Sequence, residues 1–222
     1  MHRYFVTGTD TDVGKTRVTA ALALAMRQCD ELSTIVKLAQ TGVDSDEPGD
    51  AARAHELSGC PAVEFARFIA AADPWSAALA QGSPLLTAET LVARLNEYPS
   101  MVVEGAGGLA VPLNATQTMA TVAKEAELTV VLAIGLRLGC INHATLTLSL
   151  CERLGIPVAG CVLVERWARM PQSYLADVRR ALGANLTELA FVPFDPDERR
   201  SVTEAAHQFV PFVQGDPICD RS

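Results

Sequence analysis

Lys15 and Thr16 close the run Gly8-Thr9-Asp10-Thr11-Asp12-Val13-Gly14-Lys15-Thr16, which leaves an apolar stretch and enters a helix-forming one. An ammonium, a hydroxyl and freed backbone at such a junction suit a bound anion. Gly14 lets the backbone amides face phosphate oxygens, Lys15 supplies a point charge for β- and γ-phosphates, and the Thr16 hydroxyl can ligate Mg2+. The helix that opens here adds the positive end of its dipole. A plain glycine-bearing turn is the competing reading, and the strand–turn–helix order favours the phosphate site. Five residues lie between Gly8 and Gly14, one more than the common spacing of such loops, which points to a subgroup of them.

Two more charged groups interrupt apolar strand ends. Lys37 does so on the second strand, and Glu104 ends the third inside Val102-Val103-Glu104-Gly105-Ala106-Gly107-Gly108. Ligands of open parallel sheets sit outside the carboxyl ends of the strands, so both side chains are expected to converge on Lys15 and Thr16. A carboxylate directly after a Val-Val strand suits the acid that helps hold Mg2+ in phosphate-loop proteins. Gly105, Gly107 and Gly108 allow close backbone approach beside it. For either charge alone a solvated strand end is the competing, lesser reading, and both aimed at one crevice weaken it further. Asp50, after Pro48-Gly49, reads as a helix N-cap or as a metal ligand.

The elements that must position these groups alternate. Strands are expected at 3–7, 34–39, 101–104, 129–134, 158–164 and 188–192, and helices at 15–29, 50–57, 88–97, 119–126, 142–154, 171–182 and 201–209. This order predicts a single-domain α/β fold over residues 1–222, P-loop NTPase-like, with a mostly parallel sheet and helices on both faces. Leu146, Leu148, Leu150, Cys151 and Leu154 crowd most faces of one helix, which calls for deep burial or a subunit interface. The formal charge of −8 argues against a nucleic-acid partner. No cationic start precedes an apolar stretch, and the longest apolar run, around 129–134, is too short to span a bilayer. A soluble, cytoplasmic protein is therefore expected. Cys29, Cys60, Cys140, Cys151, Cys161 and Cys219 lack Cys-x-x-Cys spacing and mostly sit in apolar segments, as reduced buried thiols do.

Four separate segments, in order, resemble the dethiobiotin synthetase family: Gly-Thr-Asp-Thr-Asp-Val-Gly-Lys-Thr at 8–16, Lys-Leu-Ala-Gln-Thr-Gly at 37–42, Val-Glu-Gly-Ala-Gly-Gly at 103–108 and Gly-Cys-Ile-Asn-His-Ala at 139–144. The likeness runs from residue 3 to about 195. It implies ATP- and Mg2+-dependent closure of a ureido ring from 7,8-diaminononanoate and CO2, by a homodimer with each site at the subunit interface. Carried over residue by residue, Lys15 meets transferring phosphoryl oxygens and Lys37 bridges carbamate and γ-phosphate. Thr11 and Thr41 hold the diamine or carbamate, and Thr16, Asp50 and Glu104 hold Mg2+. The nucleotide is implied to lie against Gly8, Asp12, Val13, Gly14, Lys15, Thr16, Arg17, Asp50, Glu104, Gly105, Ala106 and Gly107, with its base near Pro193, Phe194 and Asp195. Gly139, Cys140, Ile141 and Asn142, with Tyr174, would bind the substrate carboxylate of the neighbouring subunit.

Four departures from the family pattern stand out. Leu38 replaces a Pro after the lysine, and Ala77 and Ala78 replace a Pro-His pair. Val164 replaces an adenine-reading Asn, and a Val cannot hydrogen-bond a base, so weak discrimination among nucleoside triphosphates is expected. Two rival readings share the fold. A partition or positioning ATPase would carry an extra lysine where this chain has Asp10, and a basic amphipathic helix in 208–222, which it lacks. Another amide- or ring-forming ligase would differ from Gly-Cys-Ile-Asn-His-Ala.

Overall fold

The computed structural model describes residues 2–183 and 186–215. The strands are β1 (Arg3–Gly8), β2 (Thr34–Lys37), β3 (Gln40–Thr41), β4 (Ala62–Glu64), β5 (Arg67–Phe68), β6 (Met101–Glu104), β7 (Thr129–Gly135), β8 (Val158–Val164) and β9 (Glu188–Val192). The helices are α1 (Lys15–Gln28), α2 (Asp50–Ser58), α3 (Pro74–Gln81), α4 (Ala88–Leu95), α5 (Met119–Glu125), α6 (Cys140–Leu154), α7 (Gln172–Leu182) and α8 (Glu198–Gln214). Seven strands form one parallel sheet in the order β4-β2-β6-β1-β7-β8-β9, and β3 pairs with β5 in a small second sheet.

Because side chains alternate across a strand, neighbours in sequence serve opposite cores. Val6 and Val102 pack with Leu22, Met26 and Phe209 of α1 and α8, whereas Phe5 and Val103 pack with Leu91, Leu95 and Met119 of α4 and α5. A third cluster places Leu132, Ile134 and Leu163 under Leu175 and Val178 of α7. Helix α1 is buried along most of its length; its alanines at 20, 21, 23 and 25 let it approach the sheet, α2 and α8 closely. Truncating Leu22 there would cost about 2–5 kcal/mol in transfer and cavity energy.

Several elements differ from expectation. The second strand stops at Lys37 and resumes as β3, and β4, β5 and α3 were not anticipated. The two strands hold only three and two residues, too few for a period to register. Helix α3 did carry local signals: Asp73 accepts the Ser76 amide as N-cap, Pro74 opens the helix and Gly82 closes it. Its Ala77 and Ala78 pack with Ala39 and Phe68, so these two departures fill a small core. Helix α8 outruns its expected 201–209 at both ends and continues through Pro211, with Phe209 and Val213 buried. Tertiary packing outweighs the lost helix hydrogen bond there.

Deep burial of α6 is excluded. It starts at Cys140 rather than 142, and buries only Cys140, Ala144 and Cys151, with Leu146 62% exposed. Cys29, Cys60, Cys140, Cys151 and Cys161 are free thiols, as expected; Cys219 lies outside the described residues. Burial pushes the Cys151 thiol up to about 11 and the Cys161 thiol up to about 12, which leaves both unreactive. No helix among the described residues is long and apolar enough to cross a membrane.

Candidate active site

Strand register delivers the charged groups. Glu104 on β6 stands opposite Lys37 on β2 and opposite Val6 on β1, whose exit is the glycine loop. Lys37 Nζ lies 2.7 Å from Glu104 Oε1 and 2.5 Å from Asp50 Oδ2, and donates to the Gly105 carbonyl at 3.3 Å. The Thr16 hydroxyl donates to the same Glu104 oxygen at 3.1 Å. Lys15 folds back over the loop, its Nζ donating to the Asp10 carbonyl at 3.2 Å. Asp10 thus contributes backbone where the rival ATPases would bring a second lysine.

Burial sets the electrostatics. Lys37 is 3% exposed and Glu104 1%. Burial lowers the Lys15 ammonium below its ordinary range, and nearby Lys37 adds to that. Burial also works against charge on Lys37, but Glu104 and Asp50 outweigh it and hold the ammonium above its ordinary range. Glu104 goes the other way: burial raises it despite Lys37. For Asp50 burial opposes ionisation, and Lys37 overrides it to hold the carboxyl low. Lys37 therefore stays charged, with Asp50 its more readily ionised partner.

Asp50 is not a helix cap. The N-cap of α2 is Gly49, and the Asp50 amide is taken by Gln40 Oε1 at 2.7 Å, which frees the carboxylate for Lys37. Two carboxylates and a hydroxyl are hard oxygen donors of the kind Mg2+ takes alongside waters and phosphate oxygens. Thr16, Asp50 and Glu104 fit that set; among the described residues no group of three or more His, Cys, Asp and Glu that could hold a metal is present.

The loop turns sharply at Gly14. Gly14 has φ 92°, and a Cβ there would lie 2.7 Å from Val164 Cγ1, so both conformation and space demand glycine. Asp12 adopts φ 56° and pairs with Arg166 at 3.1 Å. Arg17 is buried and donates to the Glu165 carbonyl at 3.0 Å. A cavity of about 860 Å³ opens over the loop, lined by Thr11, Asp12, Gly14 to Arg17, Lys37, Thr41, Asp50, Glu104, Ala106 and Gly107. Gly8 and Val13 support it from beneath: the Gly8 amide donates to the Gly107 carbonyl at 3.3 Å, and Val13 is buried. Gly105 lends its carbonyl to Lys37.

Two groups of lining residues carry no site role in the sequence reading, although Gln40 and Gly42 fall within the segment 37–42. Arg53, Leu57, Arg166 and Glu198 form one, tied by an Arg53–Glu198 ion pair of 2.8 Å; Gln40, Gly42, Ala71, Ala72, Asp73 and Pro74 form the other. Arg166, two residues past the end of β8, and Asp73 and Pro74, at the start of α3, carried local signals.

Some expected site residues lie elsewhere. Val164 is fully buried against Gly14 in the core, so it presents no apolar wall to the cavity. Pro193, Phe194 and Asp195 are half-buried beyond β9; the Phe194 amide donates to Glu165 Oε2 at 2.9 Å, and the cavity wall nearby is Arg166 and Glu198. Gly139, Cys140, Ile141 and Asn142 open α6 outside the cavity of their own chain. Tyr174 joins them, its hydroxyl donating to the Arg137 carbonyl at 2.6 Å and lying 3.5 Å from Cys140 Sγ. Arg137 in turn pairs with Asp10 of the loop.

A parallel sheet with a glycine-lysine-threonine loop at its centre, and a carboxylate on the adjacent strand, defines a P-loop NTPase fold. Solved structures agree. The MinC:MinD cell division complex of Aquifex aeolicus aligns with TM-score 0.61 and 12% identity over 100% of this chain and 99% of that one. MinD of Pyrococcus horikoshii, complexed with Mg-ADP, aligns with TM-score 0.57 and 17% identity over 97% and 96%. At such identities they show the fold alone. An AAA domain family model matches residues 2–200. The ATP-dependent dethiobiotin synthetase BioD of Anaeromyxobacter dehalogenans (strain 2CP-C) is 39% identical over 90% of this chain and 93% of its own. That of Rhodococcus jostii (strain RHA1) is 42% identical over 71% of each. The chain belongs to the ATP-dependent dethiobiotin synthetase family, a family of ligases.

Proposed function

We propose that this protein closes the ureido ring of dethiobiotin from 7,8-diaminononanoate, CO2 and ATP, with Mg2+. The observation that carries the reading is the Lys37 ammonium, buried and charged, between Asp50 and Glu104 and beside the Thr16 hydroxyl. Carbamate and triphosphate are both anionic, so bringing them together requires fixed cations and amide donors rather than a strong base.

In the proposed sequence, one amine of the diamine attacks CO2 and loses a proton, giving a carbamate. A carbamate oxygen then attacks the γ-phosphorus and ADP leaves. The second amine attacks the carbonyl carbon of this mixed anhydride, inorganic phosphate departs and the ring closes. Lys15 meets the transferring phosphoryl oxygens, and Lys37 spans carbamate and γ-phosphate. Thr11 and Thr41 hold the diamine end. Mg2+, held by Thr16, Asp50 and Glu104, would neutralise phosphate charge. The nucleotide lies along Gly8 and Asp12 to Arg17 and along Gly105 to Gly107, with its base toward Pro193 to Asp195.

A homodimer completes the site in this reading. Gly139 to Asn142 and Tyr174 would serve the carboxylate of a diamine bound to the partner subunit, through amides at the start of α6, where that of Cys140 already donates to the Arg137 carbonyl at 3.0 Å. Their place outside their own chain's cavity supports this, as do the exposed Leu138 (94%) and Leu146. Incubating purified protein with diaminononanoate, bicarbonate, Mg2+ and a panel of nucleoside triphosphates tests the function. Dethiobiotin formed in step with nucleoside diphosphate is the expected result; nucleotide turnover indifferent to the diamine would refute it.

A further inference from the structure

The entry to α2 is built by side chains outside the charged cluster. β3 and β5 set Gln40 beside Arg67, and the Gln40 amide donates to the Ala66 carbonyl at 2.8 Å. The buried Gln40 side chain then makes two bonds. Its Oε1 accepts the Asp50 amide at 2.7 Å, and its Nε2 donates to the Thr41 carbonyl at 3.2 Å. A helix leaves its first amides without internal partners, so whatever satisfies them fixes where the helix begins. Here the residue so fixed is Asp50.

Arg67 secures the approach to that point. Its Nε and Nη2 fork onto Glu64 at 2.8 and 3.0 Å, while Nη1 donates to the carbonyls of Asp44 and Glu47 at 2.7 Å each. Gly49 passes through the middle of this assembly. A Cβ on it would lie 2.8 Å from Arg67 Nη2, 2.8 Å from Glu64 Oε2 and 2.9 Å from Gln40 Oε1. Its φ of −88° is open to any residue, so space alone calls for glycine. Gly49 has no side chain with which to cap α2, and the cap comes from another strand instead. The start of α2 and strand β3 are thereby joined through the Gln40 side chain.

We propose that Gln40 is the positioning residue for Asp50, with the Arg67–Glu64 fork as its brace. One side chain then sets the aim of Asp50 at the Lys37 crevice and the place of Thr41, coupling the metal end of the site to the diamine end. This rests on the reading of Asp50 as a Mg2+ ligand. Partners that orient a metal ligand typically cost ten- to a hundredfold in metal affinity when removed.

The test uses the full chain and a readout that needs no turnover: the Mg2+ concentration giving half-maximal thermal stabilisation in saturating ADP. Gln40→Ala should raise it about ten- to a hundredfold, with native circular dichroism. Gln40→Glu keeps the acceptor for the Asp50 amide but cannot donate to Thr41. It should recover most of the Mg2+ response while leaving the diaminononanoate KM raised and kcat nearly normal. Should Gln40→Ala not fold, Arg67→Lys keeps the charge, loses the fork and should shift Mg2+ in the same direction. Asp50→Asn is measured alongside. If it shifts the Mg2+ response while Gln40→Ala and Arg67→Lys stay within about twofold of the parent, well short of the expected change, the positioning role is overturned and the metal reading stands. If Asp50→Asn shifts nothing, the metal reading of Asp50 falls and the inference falls with it.

Discussion

Lys37 Nζ lies 2.7 Å from Glu104 Oε1, the two side chains leaving adjacent parallel strands at the same register. Both are buried, so the contact is an ion pair out of water rather than a surface pair of small worth. It is placed by the sheet, whose order sets β2 and β1 on either side of β6. The pair therefore bears on stability as well as on chemistry.

Lys15→Ala should lower kcat at least about 10²-fold with little change in folding, since its Nζ makes one bond to a loop carbonyl. Lys37→Ala should lower kcat as much and also leave Glu104 buried without its cation, at about 3–5 kcal/mol. That is about 6–20 °C in Tm for a chain of this size. Steady-state kinetics with thermal melts separate the two; a Lys37→Ala protein with near-normal kcat removes Lys37 from the mechanism.

The same pair has a pH signature. Burial holds the Glu104 carboxyl above its ordinary value of 4.5, so the folded state favours its protonated form. Its contribution to stability is present below that value and is lost as pH rises through the higher folded pKa. Without Lys37 only the more distant Lys15 opposes burial, and the window widens upward. The Tm deficit of Lys37→Ala should shrink as pH is lowered from 8 toward 5, and a deficit independent of pH would contradict this.

Glu31 behaves oppositely. It accepts from the Ser100 hydroxyl at 2.6 Å and from the His2 amide at 2.8 Å. Burial opposes its ionisation, but these bonds outweigh it and hold the carboxyl below 4.5. Its stabilisation is therefore full above that value and is lost as pH falls through the folded pKa. Glu31→Gln should lower Tm at neutral pH by a few degrees and by less below pH 4; an equal loss at both would remove the charge from the account.

Helix α6 should respond to charge on its open face. Leu146→Glu places a carboxylate where Leu146 is largely uncovered, so a dimer joined there should become a monomer by light scattering. Dethiobiotin synthesis should fall with it, because the α6 N-terminus would no longer reach a partner's substrate. An unchanged mass with full activity would move the interface elsewhere.

Much of this was legible in the residues. The loop, Lys37, Glu104 and the parallel order followed from motif spacing and alternation, because strand ends and a helix start leave strong local marks. Val164 was misjudged: its place at a strand end was right, but strand alternation under Gly14 turns it into the core. Val164→Asn should cost about 1–3 kcal/mol of stability by burying an amide. It should leave the ATP:CTP:GTP ratios of kcat/KM unchanged, and a stable variant with sharpened ATP preference would restore the position to base reading. The roles of Gln40, Arg53 and Glu198 were hidden for another reason. They reach the cavity through tertiary contacts between β3, α2 and α8, and no local period records such contacts.

The oxygen balance of the reaction tests the central claim most directly. With CO2 carrying heavy oxygen, a carbamate oxygen that attacks the γ-phosphorus leaves later as part of inorganic phosphate, and the other stays in the ureido carbonyl. Mass spectrometry of both products from a single turnover should find one labelled oxygen in each. Unlabelled phosphate alongside labelled dethiobiotin, or phosphate released without any ring, would contradict the account.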